Sequence, residues 1–378
     1  MNPSEAGGSG FWNDIIGQTK ATEILNNIYT SRRVPHAFLF YGPEGSGKFF
    51  TAIRFLKLIN SSADEEVYKK YVKNLSSLSE PAVKLVFALP RGKGETGDDS
   101  SYDKLPQDTI ELITEQIAKL AGNPYHRLSV EGANTIKISS IRDIKKFSNY
   151  DDGSGIKKAV IIYDAHLMAD EAQNALLKNL EEPPENIIFF LLTSNREKLL
   201  PTIFSRCWNV QFNPLTTAQV KEILINYFKL DEKKADALAN FSDGSLSNAL
   251  NLLRYDIDSI LDTAVQTIRF SLARKFYLAN KAMEEQIDLN DKAHVQFFIS
   301  ALIKWLKDVN KHKYTGEIDT FRNHEDTIVK FNSKFNNLNL GQSILKLEQL
   351  MKLIDNNLNL NIILLGIIFE LSALSVRK

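Results

Sequence analysis

The chain is nearly devoid of cysteine. Cys207 is the only one in 378 residues, which excludes an intramolecular disulfide and any zinc site built from several thiolates. Its 6 histidines show no metal-cluster spacing. Excess charge is also missing. The 46 Lys and Arg balance 46 Asp and Glu, so global basicity offers no route to nucleic acid, although a local patch is not excluded. Long hydrophobic runs are absent too. The longest, Ile362 to Phe369, falls far short of the roughly 20 residues that span a bilayer. Met1 to Gly10 is polar and rich in Gly and Ser, without the apolar centre of a signal peptide. A cytoplasmic protein without membrane contact is expected.

What is present, 43% hydrophobic and 24% charged residues, is the composition of a folded protein, and the length suggests two or three domains. Ala37 to Tyr41 is a short apolar run closing on a glycine-rich stretch and reads as a buried parallel strand. Lys48 to Ile59 has helical apolar spacing. Lys158 to Tyr163 reads as a second strand. Asp170 to Glu182 reads as a helix with Ala172, Leu176, Leu177 and Leu180 on one side, stopped by Pro183-Pro184. Ile187 to Thr193 reads as a third strand. This alternation predicts a parallel sheet with helices on both faces. Between Asn60 and Ile136 the pattern weakens. Val86 to Pro90 is either a strand or a packed loop, and Arg91 to Lys104, rich in Gly, Ser and Asp, reads as a mobile loop.

Beyond Asn213-Pro214 the chain turns helical, with Gly244-Ser245 between two helical segments, and from about Asp262 no strand pattern recurs. The expected division is a flexible N-terminus (1–10), an α/β domain (11–212), a small helical domain (213–261) and an all-α domain (262–378). Apolar residues such as Phe297, Phe298, Leu302, Ile303 and Leu306, and later Ile344, Leu345, Leu347, Leu350 and Met351, keep helical spacing through the last of these.

The chemistry-bearing stretch is Gly42-Pro43-Glu44-Gly45-Ser46-Gly47-Lys48-Phe49. It has the form of a phosphate-binding loop at every diagnostic position but the last. Gly42, Gly45 and Gly47 let backbone N–H groups turn inward onto phosphate oxygens, and Lys48 reaches the outer phosphates. The Ser or Thr that normally follows ligates Mg²⁺, whereas Phe49 has no oxygen. Thr51 has a hydroxyl, but helical rotation turns it away from the Phe49 direction.

A more specific signal follows in order: Asn174-Ala175-Leu176-Leu177-Lys178, Leu180-Glu181-Glu182-Pro183-Pro184, and Leu200-Pro201-Thr202-Ile203-Phe204-Ser205-Arg206-Cys207. With Ile16-Gly17-Gln18 upstream, this set resembles the clamp-loader branch of the AAA+ ATPases, strongly over residues 11–60 and 137–212 and moderately to about 255. The resemblance implies an AAA+ phosphate-loop domain, a helical lid over 213–261 and a helical collar over 262–378. It gives Ser205 and Arg206 the place of an arginine finger, a fixed cation that reaches the ATP of a neighbouring subunit. The alternative for Arg206 is a local carboxylate partner at the end of a strand. Cys207 reads as a packed small side chain.

Active members of that branch end the second strand with Asp-Glu, where this chain has Tyr163-Asp164-Ala165; in neither possible register are both carboxylates present. They also carry a lid arginine three residues beyond the glycine at position 244, where this chain has Ser247, expected to cap or face solvent. Three losses together are hard to reconcile with phosphoryl transfer, which depends on positioning and charge. No intrinsic ATPase activity is expected and no cofactor is required. Passive, non-hydrolysed nucleotide binding stays open. The four-cysteine zinc module common in the branch has no counterpart in residues 60–124, so no zinc is expected. The resemblance further implies a hetero-oligomeric ring with motor (gamma/tau-like) and clamp-opening (delta-like) subunits, acting on a sliding clamp and primer-template DNA in replication. Within it this chain would be a non-catalytic stator. The alternatives are an ATP-hydrolysing motor subunit and an AAA+ nucleotide-binding regulator or adaptor. Nothing in the chain looks like a polymerase active site.

Overall fold

Five short apolar segments form one parallel sheet. The computed structural model describes residues 10–96, 99–148, 153, 155–335, 338, 340–355 and 359–374. Its contacts divide the chain into two units: residues 1–232 with 243–247, and residues 233–242 with 248–378. This division does not coincide with the expected boundaries after 212 and 261. The expected flexible N-terminus lies outside the described residues except for Gly10.

In the first unit the elements run α1 (Thr19–Thr30), β1 (Ala37–Tyr41), α2 (Lys48–Ile59), α3 (Glu65–Ser76), β2 (Val83–Val86), α4 (Gln107–Gly122), α5 (Ile138–Ser148), β3 (Lys158–Ile162), α6 (Asp170–Glu181), β4 (Ile187–Thr193), α7 (Pro201–Arg206), β5 (Trp208–Gln211) and α8 (Thr217–Phe228). The strand order is β2-β3-β4-β1-β5, every pairing parallel. The three strands read from the sequence are its centre. The edges are β2 and β5, four residues each and partly polar; of the stretch read as either a strand or a packed loop only Val86 lies in β2, and residues 87–90 carry no strand.

Strand alternation sorts the core into two layers. Phe38 and Phe40, Ala159 and Ile161, and Ile188, Phe190 and Leu192 face one cluster with α2. Ala37 and Leu39, Val160 and Ile162, and Ile187, Phe189 and Leu191 face the other with α6. Burial on both faces is why β3 and β4 are continuous apolar runs. The first layer is unusually aromatic: the Phe190 ring stacks on Phe38 at 5.3 Å and meets Phe40 and Phe55 edge-on at 5.6 and 6.3 Å.

The weakly patterned region holds two further helices, α3 and α4. The Arg91–Lys104 segment, expected as a mobile loop, is held to the following chain at Glu95, Ser100 and Ser101. Lys137 Nζ lies 2.6 Å from the Glu95 carboxylate, both largely buried, and the Ser100 and Ser101 hydroxyls donate to Asp143 at 2.7 and 3.1 Å. Of the segment expected as a mobile loop, residues 97 and 98 lie outside the described residues.

The rest of the chain is helical: α9 (Glu232–Asn240), α10 (Leu246–Asn251), α11 (Ile257–Leu272), α12 (Phe276–Gln286), α13 (Lys292–Thr315), α14 (Glu325–Lys334), α15 (Leu340–Asp355) and α16 (Leu360–Ala373). In the second unit α13 supplies a buried spine that includes Phe298, Leu302, Trp305 and Leu306. Buried Asp308 accepts the backbone N–H groups of Asp319, Thr320 and Phe321 at 3.3, 2.9 and 2.8 Å, pinning the turn after α13.

Removing the Phe190 ring opens a cavity among three aromatic neighbours. Phe190→Ala is expected to cost about 3–5 kcal/mol, read as a lower urea midpoint for loss of the sheet unit's circular dichroism.

Candidate functional site: a closed phosphate loop and an exposed arginine

The glycine loop joins β1 to α2, with β1 entering between β4 and β5. Gly42 has a φ of +148°, and a side chain there would collide with the Phe212 carbonyl oxygen. Gly45, at φ +76°, faces the start of α10, where an added Cβ would stand 2.7 Å from that of Leu246. These two glycines therefore serve close packing as well as loop curvature.

Lys48, expected to reach outward to phosphate, turns back on its own loop. Its Nζ donates to the carbonyls of Gly42 and Pro43 at 2.9 and 2.6 Å and to Ser46 Oγ at 3.4 Å. The ammonium thus has its donors satisfied by the loop that it would otherwise serve. Burial lowers its pKa to about 8, with Asp164 and Glu44 pulling the other way. Thr51 donates its hydroxyl to Gly47 O at 2.9 Å and is fully buried.

Counting back from Asn174, both positions that would serve a metal ion are aromatic, Phe49 and Tyr163; in the register one residue later Asp164 takes the second place and Ala165 that of the base. Phe49 is 6% exposed and meets Tyr163 edge-on, ring centroids 6.1 Å apart. The Tyr163 hydroxyl oxygen accepts the Leu128 N–H at 3.4 Å. Phe49 supplies no oxygen, and the Tyr163 phenol is held neutral by burial. The residues present do not fit a magnesium–triphosphate group.

The chain's own residues 123–128 fold over the loop. Arg127 Nε lies 2.6 Å from the Glu44 carboxylate, and the Tyr125 ring edge would stand 3.4 Å from a Cβ at Gly47. From the other side the Ser245 hydroxyl donates to Glu44 O at 3.0 Å. Ser247, expected to cap or face solvent, is 5% exposed and packs beside Gly45. This corrects the expectation: its neighbours on the loop, not water, cover it. What remains is a cavity of about 40 Å³ among Glu44, Lys48, Phe49, Tyr125, Tyr163 and Asp164, against the ~300 Å³ or more typical of ligand sites.

Asp164 follows β3 in the left-handed region, at φ +51°. Burial raises its pKa, partly offset by Arg127 and Lys48; Glu44 is raised for the same first reason. His166 Nδ1 and Thr193 Oγ1, at the end of β4, are 3.1 Å apart. Sequence reasoning missed Tyr125, Arg127 and Thr193, because none of them belongs to a local motif.

Arg206 ends α7, not a strand. A guanidinium nitrogen lies 2.7 Å from the Glu181 carboxylate at the end of α6, and another donates to Thr202 O at 3.2 Å. Its side chain is 36% exposed. An exposed pair of this kind contributes about 0–1 kcal/mol, so the guanidinium is held in place yet open to a stronger anion. Ser205 Oγ donates back to Thr202 O at 3.1 Å and reaches nothing beyond its own helix. Cys207 is buried and its thiol is pushed up to about 12, as a packed side chain should be.

Gln173, unnoticed in the sequence, fixes where α7 begins. Its amide donates to Met168 O and Lys198 O, both at 3.1 Å, and accepts the Leu200 N–H at 2.8 Å. Pro201 then opens the helix with its φ preset. Gln18 makes an equivalent clamp, donating to Asn213 O and accepting Asn213 N–H, both at 2.9 Å. The Ile16-Gly17-Gln18 motif therefore fastens the N-terminal segment to the end of β5.

Among the described residues no group of three or more His, Cys, Asp or Glu is placed to hold a metal ion, and no helix is long and apolar enough to cross a membrane.

A parallel sheet with a glycine loop between an inner strand, β1, and the helix α2 defines a phosphate-loop domain. Residues 17–216 match the family model described as "DNA polymerase III, delta subunit", and the chain belongs to that family. It is 29% identical over 245 residues to DNA polymerase III subunit tau of Bacillus subtilis, covering 64% of this chain and 36% of that protein. It is 28% identical over 246 residues to subunit gamma of Buchnera aphidicola subsp. Schizaphis graminum, covering 64% and 57%. Against subunit delta' of Escherichia coli the identity is 34% over 149 residues, covering 39% of this chain and 45% of that one. The matched region thus spans about a third to somewhat over half of these relatives. A solved gamma subunit-related protein from Thermotoga maritima aligns at 17% identity with a TM-score of 0.41, covering 93% of this chain and 99% of that one.

A carboxyl whose pKa is raised by folding holds its proton more tightly when folded, so its cost to stability is absent below its ordinary 3.8, builds as pH rises from there to the raised folded pKa, and is complete above it. Asp164→Asn, which also suits a left-handed residue, should raise Tm at pH 7 by roughly 1–3 °C. The gain should vanish in melts at acid pH. Native Cys207 should resist Ellman's reagent at pH 8 and react fully once guanidinium unfolds the chain.

Proposed function

We propose that this chain is a delta-prime-type, non-catalytic subunit of a DNA polymerase III clamp loader. It acts as a stator: its own phosphate loop is structural, and Arg206 serves the ATP site of a neighbouring gamma/tau-like motor subunit. The assembly, with a delta-like clamp-opening subunit, places a sliding clamp on primer-template DNA in the cytoplasm. The observation that carries this reading is the Phe49–Tyr163 pair, which puts two rings where an active site needs a hydroxyl and a carboxylate on Mg²⁺. Lys48 bonded to its own loop and the burial of Ser247 point the same way.

Arg206 suits the trans role because its ion pair is weak and its partner replaceable. A phosphate offers the guanidinium a bidentate, doubly charged acceptor in place of the single Glu181 oxygen. Assembly in a ring is favoured by the apolar surface of α16, where Ile362, Leu365 and Phe369 are 62, 45 and 60% exposed. These residues fall on one helical face. Phe276, 42% exposed, pairs with Phe369 at 5.8 Å. Such a face suits a subunit contact more than water.

A motor subunit is the second reading, favoured by the longer matched stretch in tau and gamma relatives, 64% of the chain against 39% for delta'. ATP turnover separates the two. The isolated chain should show none above a no-protein control; turnover abolished by Lys48→Ala would establish the motor instead. In an assembly reconstituted with gamma/tau-like and delta-like subunits, Arg206→Ala should cut turnover at the site it serves by about 10³-fold or more. Glu181→Ala should leave turnover near wild type, and wild-type turnover with Arg206→Ala would remove the finger assignment.

A further inference from the structure

The helical unit contains a cavity of about 580 Å³ between α11, α13 and α14, a volume within the ~300–1,000 Å³ range of ligand pockets. Trp305, Phe331 and Phe335 give it an apolar floor, and Arg269, Lys330 and Lys334 stand around it with no Asp or Glu in the lining. In a chain without net charge, this is a local concentration of one sign. Arg269 donates to Thr327 Oγ1 at 2.5 Å. Lys334 lies 5.5 Å from the centre of the Phe335 ring, and neither lysine has a carboxylate partner among the described residues. Trp305 is fully buried, and its indole N–H has no hydrogen-bond partner among the described residues.

We propose that this groove binds an acidic peptide segment of a partner protein, anchored by one large apolar side chain on the aromatic floor. The flanking carboxylates would meet Arg269, Lys330 and Lys334. Nucleic acid fits less well. Successive bases need several exposed ring faces for stacking, whereas Trp305 and Phe331 are buried and packed edge-to-face at 5.0 Å and 86°, and only Phe335 is partly exposed; a single apolar side chain against Phe335, Leu272 and Ala273 needs no second open ring. The inference stands apart from the phosphate-loop reading and does not depend on it.

The test uses the full chain carrying Trp12→Phe and Trp208→Phe, which leaves Trp305 as the sole indole. The probes are short capped peptides with a central Leu, Met, Phe or Gly flanked by Asp and Glu, and matching peptides flanked by Lys. Acidic peptides with an apolar centre should shift Trp305 emission saturably, and Lys330→Glu with Lys334→Glu should weaken them about tenfold or more. Both lysines are exposed, so far-UV melting should be unchanged; Lys330→Gln with Lys334→Gln provides a milder version and should show a smaller loss. The proposal is overturned if acidic peptides bind no better than the Gly-centred or Lys-flanked ones, or if charge reversal leaves affinity unaltered. It is equally overturned if oligo(dT) binds the groove more tightly than any peptide.

Discussion

The Lys48 ammonium bonded to the carbonyls of Gly42 and Pro43 is the contact on which the account of the site depends. A buried cation must find acceptors or lose its charge. In an active phosphate loop those acceptors are the ligand's oxygens; here the loop provides its own. That closure is reinforced on every side. Phe49 and Tyr163 occupy the metal side, Tyr125 and Arg127 cover the mouth, and Ser245 and Leu246 close the remaining flank. In this arrangement the loop's glycines and lysine also pack the junction of β1 and α2.

Closure of the loop leaves Arg206 untouched, because that residue is positioned by separate means. Its place is set by the clamp that Gln173 makes on Leu200, by Pro201 at the head of α7, and by Ile203 fully buried beneath it. The backbone around the guanidinium is therefore rigid while the guanidinium itself stays exposed, held only by the replaceable Glu181 pair. Precise anchorage with a weakly committed charge is what the proposed trans role requires.

The centre of the fold was legible in the sequence because burial on both faces leaves unbroken apolar runs. β1, β3 and β4 are such runs, and α2 and α6 follow them at helical spacing. The edges were not. In β2, Lys84 interrupts the run, and β5 has only Val210 fully buried, so neither carries the signal that its neighbours do. The three substitutions Phe49, Tyr163 and Ser247 could be named from motif spacing, and so could Arg206. Their arrangement could not. That Phe49 packs on Tyr163, that Ser247 is buried rather than solvated, and that residues 123–128 close the loop are tertiary facts with no local pattern. The Glu181 partner of Arg206 was foreseen only as some nearby carboxylate, and it sits at the end of a helix instead of a strand.

The proposed stator role requires aromatic side chains to stand where an active loop binds its metal ion. Calorimetric titration of the isolated chain with ATP, in the presence and absence of Mg²⁺, tests this most directly. Mg²⁺ should make no difference, whether the heat of binding is weak or nil, because neither Phe49 nor Tyr163 offers the ion a ligand. A tenfold or greater tightening of ATP binding on adding Mg²⁺ would contradict it.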